Sequence, residues 1–244
     1  MVHFVSGVVA GSSDPAAARF GPVADVSALV RRPSQAEDAV SPSAASRVSQ
    51  VGQSRAVNEA HLAYLASPEW SETVERELLP WVESAGDLGD DVLEIGPGPG
   101  VTTDLLRQRV RRLTAVELDP SLGEPLRDRL GGTNVHVIVG DASEAGLPAS
   151  SFSAAACFSV LHHMPSAEHQ DRLFAELHRV LRPGGIFVGQ DSLDLEMIRL
   201  GHADDTFTPV DPEHFGERLA KVGFGNTTID VLGYHFRFVS RKPA

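Results

Sequence analysis

The 244-residue chain contains a single cysteine, Cys157. One thiol excludes an internal disulfide and a cysteine-built metal cluster. Its setting in FSAAACFSV, residues 152–160, reads as a small core hydrophobe rather than a reactive group. No apolar run reaches the length needed to cross a bilayer, so no membrane partner is expected. The first residues, MVHFVSGVVAGSSD, carry a short apolar patch with no Lys or Arg before it. A secretory signal is therefore not expected, and a cytoplasmic location is the default. Basic residues are in the minority, 21 Lys and Arg against 33 Asp and Glu, for a formal net charge of -12. Such a field repels phosphate backbones and argues against a nucleic-acid partner. The densest basic cluster, Arg107, Arg109, Arg111 and Arg112, reads as a solvated face at a helix end. The oligomeric state is not legible.

What is present points to one α/β domain with a tail. Residues 1–54 are rich in Ala, Ser, Val and Pro, lack Trp and Tyr, and show no sustained period. They read as a flexible or weakly ordered extension, with a lid that orders over a ligand as the alternative. Residues 55–244 are expected to form the folded domain. Val57, His61, Tyr64 and Leu65 share one face of a short helix. After Ser67-Pro68, a cap and first helical position, Trp70, Val74, Leu78, Trp81 and Val82 recur at helical spacing.

Strands and helices then alternate. Strands are expected at 91–95, 113–118, 135–140, 152–160 and 185–190, and helices over 101–110, 121–130 and 166–181, the last halted by Arg182-Pro183-Gly184-Gly185. A helix near 212–222 and two strands about Gly233 close the chain. The pattern predicts a seven-stranded, mostly parallel Rossmann-like sheet with helices on both faces and a C-terminal antiparallel hairpin.

Open sheets of this kind bind ligands at the carboxyl ends of their strands. The first predicted strand ends in Glu94-Ile95-Gly96-Pro97-Gly98-Pro99-Gly100. A dinucleotide fingerprint requires Gly-x-Gly-x-x-Gly here, and neither frame supplies it: Val101 or Thr103 stands where the third glycine belongs. The loop reads Glu-x-Gly-x-Gly-x-Gly instead. The second strand ends Val116-Glu117-Leu118-Asp119 and the third Gly140-Asp141-Ala142. Taken singly, each acid could equally be a cap or a solvated carboxylate. With these three motifs in order, the chain resembles the class I S-adenosylmethionine-dependent methyltransferases over about residues 55–240.

The resemblance implies a set of roles. The glycine loop, with Glu94, Gly96, Gly98 and Gly100, would hold the methionine portion of S-adenosylmethionine. Glu117 would accept both ribose hydroxyl protons, with Leu118 beside the adenine. Asp141 would take a hydrogen bond from the adenine amino group, and Ala142 and Phe158 complete the expected cofactor wall. His162 and His163 follow the fourth strand, where either could serve as a general base or merely position a substrate. Asp191, His202 and Thr206 are expected on the substrate side, or are ordinary loop polar residues. No metal is expected, because a hard-cation site needs carboxylates from two strand ends and the fourth strand supplies none. The leading expectation is methyl transfer to an O, N or C atom of a small molecule. A non-catalytic binder of the same cofactor and a nicotinamide-dependent oxidoreductase are the competing readings.

Overall fold

The computed structural model describes residues 57–202 and 205–244. The predicted extension, 1–54, lies outside them. Seven strands form one sheet: β1 (Asp91–Ile95), β2 (Arg112–Glu117), β3 (Val135–Val139), β4 (Phe152–Phe158), β5 (Leu181–Ser192), β6 (Gly225–Leu232) and β7 (His235–Arg241). Their order is β3-β2-β1-β4-β5-β7-β6. The first five strands run parallel, and β7 pairs antiparallel with both β5 and β6. The predicted sheet and closing hairpin are therefore both present. The order reverses direction between β1 and β4, which puts a crevice at the carboxyl ends of those two strands.

Alternation along the strands divides the core. Val92, Ala154, Ala156, Ile186 and Val188 face one way and join Trp70, Val74, Leu78, Val82 and Leu106. That layer comes from α2 (Pro68–Thr73), α3 (Leu79–Ala85) and α4 (Val101–Leu106), a π-helical turn over Val74–Leu78 linking the first two. Leu93, Ala155, Cys157 and Phe187 face the other way. They meet Leu173, Phe174 and Leu177 of α6 (Ala167–Val180) and Phe215 and Leu219 of α8 (Pro212–Lys221). Leu126 and Leu130 of α5 (Pro120–Leu130) cover Ala115 and Val137. Residues adjacent in a strand thus reach opposite faces, and a central parallel sheet buries both. Cys157 is fully buried in this core, as its sequence setting predicts.

Two elements depart from the sequence pattern. The helix expected over 101–110 stops at Leu106. The Asn134 side-chain amide donates to the carbonyls of Arg107 and Val110, at 2.8 and 3.0 Å, so the chain turns here before β2. The Pro-Gly-Gly stretch at 183–185 is not a loop but a bulge near the start of β5. Phe152 pairs with Leu181 and Ala154 with Ile186, so extra β5 residues loop out between them. The remaining short helices, α1 (Glu59–Leu65) and α7 (Glu196–Gly201), bury none of their residues. Asn58 caps α1 through a 2.9 Å bond from the His61 amide.

No helix among the described residues is long and apolar enough to cross a membrane. The basic cluster after α4 is matched by acids: Arg107 pairs with Asp104, Arg109 with Glu83, Arg111 with Asp90 and Arg112 with Asp91.

Candidate functional site

One cavity opens at the carboxyl ends of β1, β2, β3 and β4. Its floor is the glycine loop between β1 and α4. Gly96, Gly98 and Gly100 have φ of 62°, 53° and 89°, a region that L side chains rarely enter. A Cβ on Gly96 would meet Val160 at 2.6 Å, so the loop sits tight against the strand-4 connection. A Cβ on Gly98 would meet nothing within 4 Å. The backbone there is bare toward the cavity, as close approach of a ligand requires.

Glu117 lies at the end of β2 and is 6% exposed. Its carboxylate accepts the Gly98 and Asp119 amides, both at 2.9 Å. Burial pushes its pKa up, while those two amides pull the other way. The acid is thereby fixed between the glycine loop and the start of α5. Gly123 allows that approach, since a Cβ there would crowd Glu117 Cβ at 3.2 Å. Leu118, next in the chain, is 56% exposed and contributes an apolar surface to the cavity. Asp141 follows β3. Its Oδ1 accepts the Ser143 amide and hydroxyl at 2.8 and 2.7 Å, and its Oδ2 lies 2.7 Å from His169 Nε2 on α6. Burial would raise Asp141, yet the Ser143 and His169 bonds hold it below the usual carboxylate range.

Gly96, Gly98, Glu117, Leu118, Asp141, Ala142 and Phe158 all line this one cavity. Glu94 and Gly100 do not. Gly100 supports the loop from behind, against Leu126. Glu94 is 1% exposed, its Oε2 has no hydrogen-bond partner, and burial pushes its pKa up to about 8. A buried carboxyl with an unpartnered oxygen behind the loop is costly.

Residues 93–189 match the methyltransferase domain family. Over this region the chain is similar to S-adenosylmethionine-dependent methyltransferases. A Thermococcus onnurineus protein named "Probable ribosomal RNA small subunit methyltransferase A" is 49% identical over 59 residues, 24% of this chain and 22% of its own length. A Mycolicibacterium smegmatis protein named "Probable S-adenosylmethionine-dependent methyltransferase" is 31% identical over 129 residues, 53% of this chain and 46% of its own. The structure of an S-adenosylmethionine-dependent methyltransferase from Aquifex aeolicus superposes with a TM-score of 0.60 at 18% identity, covering 76% of this chain and 98% of that one. The chain spans from about a fifth to about half of the length of the curated relatives it matches.

The far end of this cavity is formed by the turn after β4 and by α1. Ser159 has φ 56°, an uncommon conformation for a residue with a side chain, and its amide donates to Gln190 at 2.8 Å. It bends the chain so that Phe158 and Val160 both reach the cavity. A β-branched residue suffers most in that region. Ser159→Val is therefore expected to lower stability by about 1–3 kcal/mol in urea melts, and Ser159→Gly to cause no loss.

The histidines divide. His163 lines the cavity, whereas His162 is fully buried behind it. Of the two histidines that the sequence offered as a base, only His163 reaches the cavity. Asp191, expected on the substrate side, is buried and does not line the cavity. Both its oxygens are used, by the Leu161 amide at 2.8 Å, the Ser192 amide at 2.8 Å and His162 Nδ1 at 2.6 Å. Burial opposes its charge, but His162 and those amides hold its pKa down. Asp191 thus orients His162. His202 is buried, its Nδ1 donating to the Ile198 carbonyl at 2.7 Å, and Thr206 is half-buried; neither lines the cavity. Sequence reasoning missed His169 as the partner of Asp141, and it placed His61 on a helical face without giving it a role at the site. His61 stands on α1 with its ring 5.1 Å from that of His163.

Proposed function

We propose that the chain transfers a methyl group from S-adenosylmethionine to an O, N or C atom of a small-molecule acceptor. The observation that carries this reading is the convergence of the bare Gly98 backbone, Glu117 and Asp141 on one largely apolar cavity. Glu117 would bind the ribose hydroxyls and Asp141 the adenine amino group, with Leu118 and Phe158 against the ring. S-adenosylmethionine supplies a methyl group on a sulfonium, activated toward nucleophiles. The protein's part is to seat the acceptor in line and to exclude water. Met164, Pro165 and Leu62 furnish apolar walls at the acceptor end. Ser159 and His163 are polar residues that line this end of the cavity.

A small acceptor is favoured by the net charge of -12 and by the pairing of each arginine after α4 with a carboxylate. The match to a ribosomal RNA methyltransferase covers 24% of the chain and keeps an RNA acceptor as the second reading. Calorimetric titration with S-adenosylmethionine, S-adenosylhomocysteine and NADH is the first test. Both sulfur nucleotides are expected to bind and NADH is not; binding of NADH alone would reverse the cofactor assignment. A tritium-transfer screen of small hydroxyl, amine and carbon acid acceptors beside ribosomal RNA then separates the two acceptor classes.

A further inference from the structure

Four imidazoles crowd together beside the cavity. His61 comes from α1, His162 and His163 from the 3₁₀ turn after β4, and His202 from the end of α7. Their ring centroids lie between 4.1 and 6.3 Å apart in all six pairs. One ring nitrogen from each lies within 4.8 Å of the others. His162 Nε2, both nitrogens of His163, and His202 Nε2 are buried with no hydrogen-bond partner. Buried polar atoms are normally paired, and leaving several unpaired at one point is costly.

The outer nitrogens of two rings are anchored. His162 Nδ1 donates to Asp191 Oδ1 at 2.6 Å and His202 Nδ1 to the Ile198 carbonyl at 2.7 Å. That fixes their tautomers, leaving the Nε2 lone pairs directed inward, the carboxylate–histidine arrangement found behind metal-ligating imidazoles. Asp205 Oδ1, also unpartnered, lies 3.4 Å from His163 Nδ1.

We propose that His61, His162, His163 and His202 bind one borderline divalent transition-metal ion, of which zinc is the type. Four nitrogen donors suit zinc, cobalt, nickel or copper and disfavour magnesium and calcium, which take oxygen. Asp191 and Asp205 provide compensating charge. This replaces the sequence expectation of no metal, which weighed cysteine and carboxylate ligands and not histidines. The ion joins three segments that are distant in sequence. Helix α1 has seven residues, none of them buried, too short to hold by itself. Its Leu62 and Leu65 nevertheless line the cavity. Ligation through His61 fastens α1 over the acceptor end. As ligands the histidines are not bases, and methyl transfer rests on positioning.

The test uses the full untagged chain, since an affinity tag of histidines would itself bind metal. After dialysis against a chelator, zinc and cobalt are titrated, with elemental analysis and the visible spectrum of the cobalt form as readouts. One ion per chain is expected, with cobalt bands of a four-coordinate nitrogen site and a raised melting temperature. His61→Gln, on a half-buried helix outside the core, is expected to weaken binding at least 10-fold while the chain stays folded by circular dichroism. Asp191→Asn is expected to weaken it roughly 10- to 100-fold through His162. Failure of zinc, cobalt, nickel and copper to bind, or binding that His61→Gln leaves unchanged, overturns the proposal. These readouts need neither cofactor nor acceptor, so they stand or fall apart from methyl transfer.

Discussion

Glu117→Ala is expected to weaken S-adenosylmethionine binding by roughly 100-fold. A hydrogen bond to a charged group contributes about 1.5–3 kcal/mol, and a ribose offers this carboxylate two hydroxyl donors. Taking the lower figure for each bond gives about 3 kcal/mol, a little over two decades in affinity. The structure adds a second cost. Glu117 also accepts the Gly98 and Asp119 amides, so its removal frees the glycine loop at the point where ligand meets backbone. Glu117→Gln keeps the shape and one acceptor oxygen and is expected to lose less. Calorimetry with S-adenosylhomocysteine provides the measurement, because it avoids turnover. Saturating ligand at 100 times the dissociation constant raises stability by about 2.7 kcal/mol, so the ligand-induced melting shift of the native chain should largely vanish in the variant. An unchanged dissociation constant in a folded Glu117→Ala chain would remove this residue from the ribose site.

The sheet was legible because each strand carries its own period and stop. The run 91–95 is buried at every position, and its glycines mark where the strand must end. The glycine loop and the acids after β2 and β3 could be placed together because chain order in an alternating fold fixes which strand ends adjoin. What the sequence concealed depends on side chains meeting across long separations. The end of α4 is set by Asn134, 24 residues after Val110. The inward turn of Asp191 depends on amides 30 residues away, at Leu161, as well as beside it. The four-histidine cluster draws on residues separated by more than a hundred positions, and His61 carries no local signal of a ligand. Its place on a helical face reads only as packing. A carboxylate near a strand end is legible as a ligand candidate, whereas a converging set of imidazoles becomes visible only when the fold brings α1 and α7 to the turn after β4.

Glu94 makes the second large prediction, in pH dependence. Its pKa stands at about 8 in the folded chain, because burial outweighs the Thr103 hydroxyl, and Glu117 and Asp104 add repulsion. An unfolded chain releases this proton near the ordinary glutamate value, about 4.3. Between those two values the folded state holds a proton that the unfolded state has lost, so stability falls as pH rises through the window. Below it both states are protonated, and above it both are ionised and the loss is complete. A gap of this size corresponds to at most about 5 kcal/mol. Glu94→Gln removes the titration while preserving volume and neutrality. The variant is expected to match the native chain in urea melts at pH 4 and to exceed it by several kcal/mol at pH 8.5. A cation held by the glycine loop favours the carboxylate form. Cofactor binding near pH 7 should therefore release protons, seen as a binding enthalpy that changes with the ionisation enthalpy of the buffer, and Glu94→Gln should abolish that dependence. Parallel pH profiles for the two chains would mean that Glu94 ionises normally behind the loop, and cofactor binding near pH 7 would then release no proton from it.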